Sequence, residues 1–411
     1  MYNLRLLFFR CINLLGLKLN LPVLSFIAIN SSRLKHKSFS YKKKFKKKTI
    51  FILYKSRGVN DIIETFKDKK INYKIFILSR IFFKDIYYFF FKRKPSIIKF
   101  KKKNFRDILN NFEYKNYIEK INYYFGKKYS NIIFITFNFT YIESLGPSIF
   151  KDESKIKYYC LLKENNYSPI LKKIRLENYK KIFNDFNFYH KMTVYNEDIK
   201  KNFIAKKLID KKKIYSIGLP RIKKTKKSLN TNKTILYFTI HPKGGIGTAS
   251  PKKNWNSLIK KIEKFLISYM EENPKVNLII KSKVGNYNKK LDHISKKTSN
   301  IEYFHTGDAQ DYLSKSDVVI GFNSTAIYES LYSNKKVLVP LLNLKSKDKE
   351  YMFEYPKDII CKNIKNFKEK LDYALKYNFN NRKKKSHKKI INKYLGDPEN
   401  AKQNLFKILN D

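Results

Sequence analysis

From residue 48 onward, short apolar runs alternate with longer stretches whose apolar positions recur at helical spacing. The runs at 49–54, 73–78, 131–137, 158–162, 192–195 and 213–217 read as buried strands, rich in Ile, Phe, Tyr and Val. Strands covered on both faces lose the in–out alternation of a half-exposed sheet, and that is the pattern here. Helical spacing fills the intervals: 60–67, a long region ending near 127, a stretch from 171, and 197–209. Strand, helix, strand at these intervals predicts βαβ units of a parallel sheet. Residues 219–233 (LPRIKKTKKSLNTNK) then break the pattern, being polar, basic and poor in aliphatics, as suits a linker. The same grammar restarts beyond it, with strands at 234–240, 276–281, 301–304, 317–321 and 336–340. Helices are expected at 255–272, 289–297, 308–314 and 324–333, and a last one at 398–409 that packs back across the first half.

The expected fold class is therefore α/β: two Rossmann-like domains, each with a parallel sheet, facing a central cleft. The expected boundaries are a basic and apolar segment 1–48, a first domain 49–218, the linker 219–233, a second domain 234–396 and the returning helix 397–411.

Composition changes this picture in two places. The chain of 411 residues holds 89 Lys and Arg against 34 Asp and Glu, a formal charge of +55. Only ten of the cations are Arg, and the chain is equally crowded with Asn, Ile, Phe and Tyr, residues with A/T-rich codons. Dedicated readers of nucleic acid use arginine's planar fork, so a lysine excess spread along the chain points to a solvated surface and genome bias. No RRM, KH, zinc-finger or helix-turn-helix signature supports specific nucleic-acid binding. Two stretches still concentrate charge beside aromatics: 41–48 (YKKKFKKK) and 82–94 (FFKDIYYFFFKRK). Basic, aromatic-rich segments suit an anionic membrane surface, whereas an amphipathic helix with its rings in the core is the plainer reading.

The amino terminus, 1–30, is apolar but interrupted by Arg5, Arg10, Lys18 and Pro22, too short a run to span a bilayer. A cytoplasmic protein held against the inner face of the membrane is expected, with deletion of 1–48 leaving it folded. The three cysteines, Cys11, Cys160 and Cys361, lie too far apart in sequence for a CxxC site.

Candidate chemistry gathers in the second half. At 317–331 (DVVIGFNSTAIYESL) a buried strand ends at Gly321, and Asn323 or Ser324 then caps a helix. The first amides of such a helix lack internal partners and carry the positive end of its dipole, a seat for phosphate. The hydroxyls of Ser324 and Thr325 add donors, and Glu329 lies one turn deeper on the same face, suited to sugar or ribose hydroxyls. Plain capping is the competing account. Lys281 and Lys283 end the strand 276–281, where a parallel sheet opens onto its crevice. The loop after the strand 234–240 carries His241 and Gly245 but completes neither a P-loop nor GxGxxG. No Asp-x-Asp, HExxH or Gly-x-Ser-x-Gly occurs, so neither a metal site nor a cofactor is expected.

These residues, with 335–340 (KKVLVP) behind them, resemble the donor-binding half of GT-B glycosyltransferases. More narrowly they resemble bacterial surface-carbohydrate and capsule proteins related to CDP-glycerol glycerophosphotransferases. Further pieces follow in the family's order: 136–141 (TFNFTY), 161–164 (LLKE), 195–197 (YNE), 218–221 (GLPR), Trp255 and 281–283 (KSK). The resemblance implies a metal-independent transferase with a nucleotide-activated sugar or glycerol donor and a glycan or lipid-linked acceptor. It places Gly321, Asn323, Ser324, Thr325, Glu329, Lys281, Lys283 and Gly245 at the donor, and Glu164 as acid/base. Relatives often carry a histidine just before the Lys-Glu pair; Leu162 stands there, so His241 is a substitute candidate. A nucleotide-sugar 2-epimerase of the same fold and a polycation for RNA or DNA are the competing readings.

Overall fold

In a computed structural model, the residues described are 2–39, 48–53, 58–67, 69, 71–94, 102–139, 145–150, 156–162, 168–222, 233–240, 255–283, 286–377 and 385–410. The chain divides into two compact units, the first comprising 1–165, 176–221 and 397–411, the second 166–175 and 222–396.

The first unit is built on β1 (Leu34–Phe39), β2 (Lys48–Ile52), β3 (Tyr73–Ile77), β4 (Ile132–Thr136), β5 (Ile156–Leu161), β6 (Lys191–Val194) and β7 (Ile214–Ser216). They form one sheet in the order β1-β3-β2-β4-β5-β6-β7. Every pairing is parallel except that of β1, which runs antiparallel along β3 with a register shift between Lys35 and Lys37. The sheet's centre is aromatic: Phe51 stacks on Phe76 and Phe134, and meets Phe125 and Tyr129 edge-on.

The second unit holds β8 (Lys233–Phe238), β9 (Val276–Lys281), β10 (Ile301–Phe304), β11 (Val318–Gly321), β12 (Lys336–Pro340) and β13 (Ile360–Cys361). Their order is β10-β9-β8-β11-β12-β13, all parallel. That is the strand order of a dinucleotide-binding sheet, which reverses direction between its first and fourth strands. Both units are thus α/β and Rossmann-like, as the apolar pattern predicts.

The expectation for residues 1–48 needs correction. They group with the first unit. Helices α1 (Tyr2–Lys18) and α2 (Pro22–Ser32) precede β1. Ser25 and Tyr117 share a hydrogen bond of 2.6 Å, the ring of Phe26 meets Phe125 edge-on at 5.0 Å, and Tyr129 donates to Asn30 Oδ1. Arg10 clamps Asp85 with two bonds of 2.7 and 2.9 Å, joining α1 to the helix Arg80–Phe91. Deleting 1–48 would therefore uncover the rings of Tyr117 and Phe125 that α2 covers. In the 82–94 run, Phe82, Phe83, Ile86 and Tyr87 are core, so much of its aromatic face is turned inward, as in the plainer of the two readings. The residues 41–47 lie outside those described.

The last helix, Ala401–Asn410, lies in the first unit. Its final carbonyls accept from Tyr73 and Lys191, and Phe406 meets Phe66 edge-on. Cys11 is exposed, while Cys160 and Cys361 are buried, and none is in a disulfide.

Because Phe26 fills the junction between α2 and the helix Phe112–Lys128, Phe26→Ala is expected to lower stability by about 3 kcal/mol or more. Urea unfolding of the full chain measures this; an unchanged midpoint would place α2 outside the cooperative core.

Candidate functional site

The switch point of the second unit lies at the carboxyl ends of β8 and β11, where such sheets hold their ligands. Lys281, Phe238 and Gly321 stand level across β9, β8 and β11. Two strand spacings, roughly 10 Å, separate the outer pair. Gly321 is fixed by crowding: an added Cβ would come within 3.0 Å of the Phe238 carbonyl oxygen and 3.1 Å of Ile327 Cδ1. A side chain there would press on both neighbours and force them to give by a few tenths of an ångström.

Asn323 makes the turn in the left-handed region, with φ of 48°. Its amide donates to the Tyr355 hydroxyl at 2.6 Å, its Nδ2 donates to the Tyr351 carbonyl at 3.1 Å, and its Oδ1 accepts from the Phe353 amide at 2.9 Å. Burial pushes ionisation of Tyr355 far upward, so the hydroxyl stays neutral. Asn323 thus ties the turn to the segment 351–355; its amide and both side-chain polar atoms already have protein partners.

The helix Thr325–Tyr332 follows, with Ser324 as cap, its Oγ accepting from the Ala326 amide at 3.3 Å. Residues 326–332 are all buried, whereas Ser324 and Thr325 are half-exposed. Among the described residues, no acceptor meets the amides of Ser324 and Thr325. Two donors and two hydroxyls therefore cluster at the positive end of a helix otherwise sealed in the core. An aromatic pile fixes the helix from behind. Tyr328 stacks on Tyr394 of the helix Lys385–Leu395 at 4.1 Å and 5°, and donates to the Glu354 carbonyl.

Glu329, only 4% exposed, lies one turn beyond Thr325. Its Oε2 accepts from Gln310 Nε2 at 2.6 Å. Gln310 belongs to the helix Ala309–Lys315 after β10, and among the described residues its buried Oε1 meets no hydrogen-bond partner. An orphaned acceptor beside a carboxylate is suited to a hydroxyl donor. Gln310 is the residue the sequence reading missed; a Gln in a helix's first turn carries no pattern that singles it out.

Lys281 is buried, donates to the Ser282 carbonyl at 2.5 Å, and sets its ammonium 5.7 Å from the centre of the Tyr312 ring. Lys283 is exposed two residues farther on. Glu164, His241 and Gly245 lie outside the described residues. Among the described residues, no group of three or more His, Cys, Asp or Glu is placed to hold a metal ion.

The first unit offers a contrast at its own switch point, between β2 and β4. The helix Gly58–Phe66 starts there, but the ring of Phe137 lies against Gly58, where an added Cβ would fall 2.4 Å from it. An apolar ring thus packs on Gly58, whereas Ser324 and Thr325 are half-exposed in the second unit.

No protein-family model matches the chain, and no curated protein matches it. Solved structures are similar to it. One is a UDP-GlcNAc 2-epimerase from Neisseria meningitidis bound to UDP-GlcNAc: 14% identity, TM-score 0.48, over 88% of this chain and 99% of that one. A UDP-forming α,α-trehalose-phosphate synthase from Burkholderia vietnamiensis gives 10%, 0.48, 89% and 98%. For TarM of S. aureus, in complex with Fondaparinux, alpha-GlcNAc-glycerol and UDP, the figures are 14%, 0.42 and 72% of this chain. This chain spans 59% of TarM's length. At these identities and TM-scores the likeness carries nothing about what the chain does.

If Asn323 holds the turn, Asn323→Gly keeps the left-handed backbone but removes two side-chain bonds, at about 2 kcal/mol. Asn323→Ala adds the left-handed penalty, for a total of about 3 kcal/mol. Chemical denaturation of both variants separates the two contributions; equal losses would show that backbone strain at 323 is negligible.

Proposed function

We propose that the chain transfers a glycosyl or glycerophosphoryl group from a nucleotide-activated donor to a hydroxyl of a glycan or lipid-linked acceptor. The setting would be bacterial surface polysaccharide or capsule synthesis, with the protein cytoplasmic and peripheral on the inner face of the cell membrane. The observation that supports this reading is the half-exposed start of the helix Thr325–Tyr332 at the switch point, one turn from a buried carboxylate.

On this reading the amides and hydroxyls of Ser324 and Thr325 take the donor's phosphate charge, strengthened by the helix dipole. Glu329, held by Gln310, receives ribose or sugar hydroxyls. Gly321 and Asn323 shape the turn, while Lys281, Lys283 and the loop at Gly245 add to the donor side. The acceptor oxygen attacks the donor's anomeric carbon, or its phosphorus when glycerophosphate moves. The bond to the departing nucleotide phosphate breaks with its electron pair going to that phosphate, and a base takes the acceptor's proton. Glu164 is assigned as that base, with His241 as substitute. The reading assigns no metal, leaving amides, dipole and lysines to offset the leaving group's charge.

A thermal-shift screen against CDP-, CMP-, UDP- and GDP-linked donors tests it. One class of nucleotide should raise the melting temperature. Ser324→Ala and Glu329→Gln should each weaken its binding on the order of tenfold, as loss of a hydrogen bond to a charged partner does. No shift from any nucleotide, or variants that melt earlier with affinity intact, would leave this turn a structural cap and end the transferase reading. A donor that isomerises without an acceptor would instead identify an epimerase.

A further inference from the structure

The α1 helix is amphipathic the wrong way round. Asn13, Gly16 and Leu17 face the protein, while Leu4, Leu7, Phe8, Cys11, Leu14 and Leu15 face out. The spacing of three and four places these six on one stripe, about 16 Å long from Leu4 to Leu15. Leu4, Leu7 and Phe8 are 74%, 57% and 61% exposed. Nine of the seventeen exposed large apolar side chains among the described residues lie between Leu4 and Leu34. Apart from tyrosines, only Leu109, Phe112 and Ile364 lie elsewhere, so the apolar surface is concentrated rather than scattered.

The charge of this part of the sequence, and the exposed cations described near α1, point to its partner. The first acidic residue of the chain is Asp61, and the sixty residues before it hold fourteen Lys and Arg. Arg5 and Lys18 are exposed at the two ends of α1. The helix Arg80–Phe91, clamped to α1 through Arg10 and Asp85, adds the exposed Lys84, and Lys92 and Lys94 follow it. A second copy would bring the same cations face to face. A surface offering apolar depth under an anionic layer satisfies both features at once.

We infer that the outward stripe of α1 seats in the interface of an anionic lipid bilayer, with its flanking cations on the headgroups. No described helix is long and apolar enough to cross a membrane, and α1 is held from behind by α2. It is a rigid strip lying along the surface rather than a span or a loose tail. This inference deepens the membrane placement in the proposed function but does not rest on the transfer reaction: it concerns the first unit and would survive the loss of any donor at Ser324.

The test is flotation of the full chain with phosphatidylcholine vesicles, with and without phosphatidylglycerol. The chain should float with the anionic vesicles only. The double variant Leu4→Gln, Phe8→Gln should lose binding on the order of tenfold, because two exposed apolar side chains no longer enter the interface. Its melting temperature should be unchanged, as neither residue is core. Phe8→Trp gives a second readout, since its emission should move to shorter wavelength on adding anionic vesicles. A wild-type chain that ignores vesicles would overturn the inference. So would a double variant that binds as well as wild type, or a concentration-dependent dimer that the double variant abolishes.

Discussion

How the chain leaves β11 governs the second unit. A strand closed on both sides must turn into a helix that is itself buried, within the three residues Phe322, Asn323 and Ser324. Buried backbone groups have to find partners, and a turn this short cannot supply them from its own length. The solution comes from outside: the segment 351–355 provides a hydroxyl, a carbonyl and an amide, all converging on Asn323. The residue has to be one that tolerates the left-handed region while offering both a donor and an acceptor, which asparagine does. With Asn323 satisfied internally, the polarity left over at the turn belongs to Ser324 and Thr325. Their orientation is inherited from the aromatic pile of Tyr328, Tyr355 and Tyr394 behind the helix.

The large positive charge resolves differently once residues have positions. Some lysines face inward and act as donors to stray carbonyls: Lys335 to Ser316 and Lys336 to Ala374. Burial lowers the pKa of the Lys335 amine, so this part of the formal charge is structural rather than a field offered to partners. The stretch before Asp61 is the opposite case: it contains no acid of its own, and Arg10 reaches Asp85 from elsewhere in the chain. What matters is where the lysines lack carboxylates, and the total alone does not report it.

Much of the fold was legible because buried parallel strands write themselves as apolar runs. The reading of 73–78 against β3 and of 131–137 against β4 differs by a residue at one or both ends. β1 was not legible: as an edge strand of sequence LKHKSF it has no apolar alternation, and only its partner β3 defines it. α1 and α2 were read as an interrupted apolar tract because cations on a helix look like breaks until the helix is drawn. At the site, the strand-turn-helix around Gly321 and Ser324 could be read locally. The internal duties of Asn323 could not, since its partners stand about thirty residues away. Gln310 was hidden for the same reason, its meaning arising only where two helices from different strands meet.

The ring of Phe137 against Gly58 ties two distant positions together. A Cβ at 58 would fall 2.4 Å from that ring, so no side chain enters there unless the phenyl group moves or shrinks. Substitutions at 58 and 137 are therefore expected to act on each other, a small residue at 137 relieving a larger one at 58.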